Sequence, residues 1–387
     1  MKNTIEIKFV ILLLIFSFSV NSRAEKTSVQ KIACVGNSIT YGYGLSSPST
    51  QCYPTQLQVL LGTTNWQVGN FGVSSRTLLK KGDKPYWNES AYTNAKTFLP
   101  NKVMILLGTN DAKNTNWNPY GKEFVSNYKE MIDVFRNLSS KPEIYIGLIP
   151  PGENVVWTIS FNYIKDSVNT HIKQVALESG VNLIDIFDGL NGNSSNWFNS
   201  TLFQSDGIHP KTAGAAIIAQ KVKELMTIPS PELEYTNSKI SAPNAYDYQW
   251  YYNDIPIAEY EGGKNAELVP LKTGKYKVSI KLNETNETRI VSEELEISEL
   301  SLGVKNQYYR DINVFPNPTN DGNFQIEIPS SDNFMISIYD LSGKTCLQNK
   351  VLKSFEKLNV SGLAPGNYLL KIYTNDFVFY SKLLKII

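Results

Sequence analysis

The 387-residue chain reads as an α/β protein, a doubly covered parallel sheet followed by two small all-β units. Two observations predict this. From Lys31 to about Ile228, short apolar runs alternate with longer amphipathic ones. That is the pattern of a parallel sheet whose strands are buried on both faces. After "TIPSPELEY" (227–235) prolines appear, helical periodicity stops, and alternating runs bounded by turn residues take over.

The elements follow in order. Candidate strands are "KIACV" (31–35), "WQVGNF" (66–71), "KVMILL" (102–107), "EIYIGLI" (143–149) and "VNLIDI" (181–186). Between them, "EFVSNYKEMIDVFRNL" (123–138) places Phe124, Tyr128, Met131, Ile132 and Phe135 on one helical face. In "FNYIKDSVNTHIKQVALES" (161–179), Ile164, Val168, Ile172 and Val175 form the same kind of stripe, and "KTAGAAIIAQKVKELM" (211–226) closes the region. Residues 229–302 hold "YQWYYN" (248–253), "YKVSIKL" (276–282) and "EELEIS" (293–298). They are expected to form a linker and an immunoglobulin-like sandwich with Trp250 in its core, serving as a spacer, with glycan binding as the alternative. Residues 303–387 carry "NVFPNPTNDGNFQIEI", "MISIYDLSGK" and "GLAPGNYLLKIYT", short strands parted by Asn-Asp-Gly and Pro-Gly turns.

Hydrophobic residues make up 42 % and charged residues 19 %, so packed cores are expected through most of the chain. The formal net charge of +1 supplies no basic field and argues against a nucleic-acid partner. Lys2 and Lys8 precede "FVILLLIFSFSV", and Ser22 and Ala24 follow it. A basic start, an apolar stretch of about 7–15 residues and a small-x-small site predict a signal peptide over 1–24. The stretch falls short of the roughly 20 apolar residues a membrane span needs, so no span is expected in the mature chain. The cysteines, Cys34, Cys52 and Cys346, have no metal-ligand spacing. Cys34 reads as a buried strand residue, with a Cys34–Cys52 bridge as the alternative.

Four polar clusters stand at or just after strand ends: "GNSIT" (36–40), "NFGVSS" (70–75), "GTND" (108–111) and "DGIHP" (206–210). Ligands bind beyond the C-terminal strand ends of such sheets. Together the clusters hold the parts of an acyl-transfer site. Ser38 is a candidate nucleophile, which needs a general base beside it. Of the two histidines, His171 lies beside an apolar helical stripe and reads as structural. His209 follows Asp206 by three residues, close enough for the carboxylate to fold back onto the imidazole. The backbone N–H groups of Ser38 and Gly72 and the side-chain amide of Asn110 are candidate oxyanion donors, with Gly69 a rival to Gly72.

The ordered set resembles the SGNH, or GDSL, hydrolases over roughly residues 31–226. The resemblance implies Ser38 as nucleophile, Gly72 and Asn110 as oxyanion donors, and Asp206 and His209 as the remaining dyad. It also implies a flavodoxin-like three-layer αβα sandwich around a five-stranded parallel sheet, and no metal or other cofactor. Two positions depart from the pattern. Asn37 stands where Asp is frequent, and Ser75 stands where a second glycine often occurs. "LLKKGDKPYW" (78–87) and "GTNDAKNTNW" (108–117) look like secreted carbohydrate and sialate O-acetylesterases, which makes Trp87 and Trp117 candidate sugar-rim residues. The C-terminal block resembles the sorting domain read by the type IX secretion machinery of Bacteroidetes, a β-sandwich often removed on export.

The leading expectation is a secreted or cell-surface serine esterase that removes acetyl groups from glycans. A lipid or aryl esterase is the second reading. A glycan-binding protein with an inactive hydrolase domain is the third. The intact set Ser38, Asp206 and His209 argues against that last one.

Overall fold

The computed structural model describes residues 29–299, 313–327, 333–374 and 380–387; the expected signal peptide lies outside them. The first strand, β1 (Gln30–Gly36), runs into the short helix α1 (Ser38–Tyr41). Then come α2 (Pro48–Gln51), α3 (Tyr53–Leu61), β2 (Trp66–Gly72), α4 (Ser90–Thr97), β3 (Lys102–Leu106), α5 (Asn114–Tyr120) and α6 (Phe124–Arg136). β4 (Glu143–Leu148), α7 (Asn169–Ser179), β5 (Asn182–Asp185), α8 (Ile186–Gly189) and α9 (Thr212–Thr227) complete the region.

The five strands pair in parallel in the order β2-β1-β3-β4-β5. Helices α3 and α9 pack together on one face, and α6 and α7 on the other, with α4 reaching α6 through Tyr92 and Phe135. The result is the expected three-layer sandwich. The residues expected on the inner face of α6 are all buried, as are Ile164, Val168, Ile172 and Val175. The periodicity of "FNYIKDSV" suggests one helix from 161, whereas residues Tyr163–Val168 form a π-helical turn leading into α7. Cys34 and Cys52 are both buried and free, so the bridge is not formed.

The middle block packs against the parallel sheet. Its strands are β6 (Glu234–Thr236), β7 (Lys239–Ser241), β8 (Asp247–Tyr252), β9 (Ile255–Pro256), β10 (Glu267–Leu268), β11 (Gly274–Lys281), β12 (Arg289–Val291) and β13 (Leu295–Ile297). β10, β7 and β6 make a small sheet. The others form a second layer, and Trp250 is fully buried, its indole N–H donating to the Asn265 carbonyl at 2.8 Å. This second layer does not stand apart. β12 pairs antiparallel with β5 at Arg289 and Leu183, so the parallel sheet continues into the β module as one ten-stranded sheet.

Polar bonds fix that seam. Asn182 Oδ1 accepts the Val291 N–H at 2.8 Å, and Asp185 Oδ2 accepts the Glu287 N–H at 2.9 Å. The Tyr251 hydroxyl donates to the Leu177 carbonyl at 2.7 Å. β5 is only four residues long and would otherwise be a bare sheet edge, which proteins generally cover. Strand patterns read one at a time carry no information about which edge they will cover.

In the C-terminal block, β14 (Asn313–Phe315), β15 (Asn323–Glu327) and β18 (Lys357–Asn359) form one sheet. β16 (Asn333–Asp340), β17 (Thr345–Lys353), β19 (Gly366–Thr374) and β20 (Tyr380–Ile386) form another. Phe324, Ile326, Ile336, Ile338, Leu370 and Ile372 make up much of its separate core.

Candidate active site

The site is built where β1, β2 and β3 end. β1 stops at Gly36, and Asn37 caps α1 by accepting the Ile39 N–H at 3.0 Å. Ser38 is therefore the first residue of the helix, with its N–H at the open end, where no intrahelical partner exists. With Asn rather than Asp at the cap, the Asn37 Nδ2 group is buried without a partner among the described residues.

His209 reaches Ser38 from the loop before α9. Its Nε2 lies 2.8 Å from Ser38 Oγ, and its Nδ1 lies 2.7 Å from Asp206 Oδ2. An ionised carboxylate only accepts, so Nδ1 carries the proton and Nε2 presents a lone pair to the serine hydroxyl. Asp206 Oδ1 also accepts the N–H groups of Ile208 and His209, each at 2.9 Å. Burial opposes the charge on Asp206, but these backbone bonds and the imidazole outweigh it and hold the carboxyl below its usual range. Gly207 makes the tight turn between acid and base at φ +70°, and a Cβ there would lie 2.5 Å from the Glu153 carbonyl oxygen. Its position therefore tolerates only glycine.

Asn110 follows β3. Its Nδ2 donates to the Arg76 carbonyl at 3.1 Å, which leaves one amide hydrogen for the cleft. Asp111 beside it is fully buried and accepts the N–H groups of Leu78 at 3.0 Å and Leu79 at 2.7 Å. Burial pushes its carboxyl up to about 6, although those amides favour its charged form. No motif spacing in the sequence assigns Asp111 a role. In the structure it ties the loop after β2 to the loop after β3, so both oxyanion candidates hang on it.

Gly72 is placed differently from its expected role. Its N–H donates to Asn70 Oδ1 at 2.9 Å, and Gly72 does not line the cleft. Its smallness serves packing, because a Cβ would sit 2.3 Å from the Tyr41 backbone nitrogen. Ser75 lines the cleft instead, at φ +68°. That left-handed conformation costs a non-glycine residue about 1–2 kcal/mol and marks the spot where a glycine was expected. The Ser75 N–H has no acceptor among the described residues.

The cleft over Ser38 has a volume of about 180 Å³. Ser74, Ser75, Asn110 and Lys113 form part of its wall, with Tyr43 and Trp157 beside His209. Trp87 and Trp117 are not among the lining residues. The Trp87 indole donates to the Leu78 carbonyl at 2.7 Å and stacks under Lys80, while Trp117 packs on Phe124 and His171. Both indoles hold loops. His171 is structural as expected, its Nδ1 2.8 Å from the Ser167 carbonyl. Tyr43 and Trp157 were missed. The available signal was "VVW" (155–157), three apolar residues in succession within a polar loop. A larger hollow of about 650 Å³ lies at the β-module seam, where Lys275 pairs with Glu294 and Lys277 with Asp254, far from any candidate nucleophile.

Fold and site together define a class: an αβα domain with a Ser-His-Asp hydrogen-bonded chain on the C-terminal rim of its parallel sheet. Residues 34–217 match the GDSL-like Lipase/Acylhydrolase family, and residues 313–386 match the secretion system C-terminal sorting domain. A curated relative described as an acetylxylan esterase, from Xylanibacter ruminicola, is 36 % identical over 214 residues. That match covers 51 % of this chain and 43 % of the relative, so the chain spans less than half of the relative's length. Among solved structures, a carbohydrate acetylesterase from Sinorhizobium meliloti aligns over 50 % of this chain and 97 % of its own, at 17 % identity and a TM-score of 0.41. An acetyl xylan esterase from Geobacillus stearothermophilus aligns over 51 % and 94 %, at 21 % identity and a TM-score of 0.39. Among the described residues, no helix is long and apolar enough to cross a membrane.

Proposed function

We propose that this protein is an exported serine esterase that removes acetyl groups from a carbohydrate polymer, xylan foremost. The observation that carries the reading is the chain Asp206–His209–Ser38, with both links at 2.7–2.8 Å. His209 Nε2 takes the Ser38 proton as Oγ attacks the ester carbonyl. The negative charge passes to the carbonyl oxygen, which faces the N–H groups of Ser38 and Ser75 and the Asn110 amide. Collapse breaks the carbon–oxygen bond to the sugar, and His209 returns the proton to the departing sugar oxygen. Acetyl is left on Ser38. Water, deprotonated by His209, then attacks, releasing acetate and restoring the serine hydroxyl. Asp206 holds the imidazole in the required tautomer and balances its transient positive charge.

The xylan assignment draws on the acetylxylan esterase relative. The small acyl group draws on the cleft's volume of about 180 Å³, which suits a short acyl chain. Export draws on the sorting domain over 313–386 and on the apolar N-terminal stretch. Comparing p-nitrophenyl acetate with the octanoate tests the acyl side. We expect kcat/KM to favour acetate by at least about 100-fold, with acetate released from acetylated xylan. Equal rates on both esters would point to a lipid esterase.

A further inference from the structure

The surface around His209 indicates what holds the alcohol half of the ester. The departing oxygen takes its proton from His209 Nε2, so the alcohol must lie within hydrogen-bond reach of that atom. Whatever flanks the imidazole is the first surface the alcohol meets. Two aromatic rings flank it: Tyr43 at 4.7 Å between centroids and Trp157 at 5.7 Å, nearly edge-on. Both are partly open to solvent, at 48 % and 38 %.

Trp157 sits on a rigid hairpin. Asn154 and Ile159 exchange both backbone hydrogen bonds at 3.0 Å. Asn154 Oδ1 accepts the Trp157 N–H at 2.8 Å, and its Nδ2 donates to the Asp206 carbonyl at 2.9 Å. The Glu153 N–H donates to the Gly207 carbonyl at 3.1 Å. Thr158 is held at φ +54°, a conformation a β-branched residue adopts only when its surroundings impose it. The hairpin is thus bolted to the loop that carries Asp206 and His209. Its tip is nevertheless apolar, with Val155 and Val156 each 86 % exposed.

We propose that Tyr43 and the 154–159 hairpin form an alcohol-side subsite, in which a pyranose ring of the acetylated polymer stacks on Trp157 and the next sugar unit rests on Val155 and Val156. This rests on the carbohydrate-esterase reading above. The C–H face of a β-linked pyranose is apolar and its rim is polar, which suits an aromatic face set among polar groups. The apolar strip is narrow and bounded by Glu153, Asn154 and Thr158. A lipid interface calls for a broad apolar patch.

The test uses the mature full chain with two substrates, acetylated xylan and p-nitrophenyl acetate. For Trp157→Ala, the ratio of kcat/KM on the polymer to kcat/KM on the small ester should fall at least about tenfold, mainly through the polymer KM. Trp157→Phe should recover most of that loss, and Val155→Ser with Val156→Ser should lower the ratio about threefold. Equal losses on both substrates would mean that Trp157 only supports His209, and would overturn the subsite. A rate on emulsified tributyrin that jumps above its solubility limit, and is lost in the double serine variant, would assign the tip to a lipid surface and overturn it too. If the unaltered protein hydrolyses neither substrate, the esterase reading itself fails.

Discussion

Ser38→Ala should lower kcat on p-nitrophenyl acetate by about 10⁴-fold or more while the protein stays folded. The size of the effect follows from geometry. Ser38 Oγ is the atom to which His209 Nε2 points at 2.8 Å, and among the described residues no other hydroxyl is hydrogen-bonded to that imidazole. Remaining donors, the Asn110 amide and the free N–H groups of the rim, can still polarise an ester carbonyl, so a residual rate from water attack is expected. Stability should barely change, because the side chain is small and its single bond is to His209. Initial-rate kinetics beside a thermal melt check both halves. A variant that keeps more than a tenth of the activity would remove Ser38 from the nucleophile's role.

The second large effect concerns stability. A chain ending at Ile228 should melt about 10–20 °C below one ending at Ser298. The truncation exposes the β5 edge and strips four bonds that cross the seam: Val291 N–H to Asn182, Glu287 N–H to Asp185, Asp185 N–H to Thr288, and Tyr251 to Leu177. At about 1 kcal/mol each net, with the lost burial of Tyr251 against Gly180 adding about 1–2 kcal/mol, the loss is about 5 kcal/mol. In a domain of this size each kcal/mol moves the midpoint by about 2–4 °C. Asp185 adds a pH signature. Burial raises its carboxyl above the usual value, against the backbone bonds that favour its charge. A raised native value means the folded state holds the proton more tightly than the unfolded one. Stability of the longer chain should therefore decline as pH rises from the ordinary carboxylate value to the raised native one. Scanning calorimetry of the two chains settles the first point. Midpoints within about 2 °C of each other would mean the β module is the spacer that its sequence suggested.

The parts of the fold that depend on local pattern were legible. The apolar runs at 31–35 and 143–149 became β1 and β4, and the stripe through Phe124 and Phe135 became the inner face of α6. The dyad Asp206-x-x-His209 was legible because three residues of spacing suffice for the carboxylate to fold back. What stayed hidden depends on pairings between distant segments. Gly72 and Ser75 are three residues apart, and the bond from Gly72 N–H to Asn70 and the place of Ser75 in the cleft separate packing from function only in three dimensions. Trp87 and Trp117 sit near cluster sequences yet turn inward, because Leu78 and Phe124 offer them partners. Trp157 stands about fifty residues before His209 and reaches it only because Asn154 is tied to Asp206. The joining of β12 to β5 is likewise a matter of edges meeting in space.

The most direct test of the account is to trap the intermediate. The protein is mixed with p-nitrophenyl acetate, quenched in acid within the first turnover, and digested for peptide mapping. An acetyl group on Ser38, with a burst of p-nitrophenol equal to the enzyme present, is expected. An acetyl group on another residue, or full activity with neither burst nor acetyl-enzyme, would contradict it.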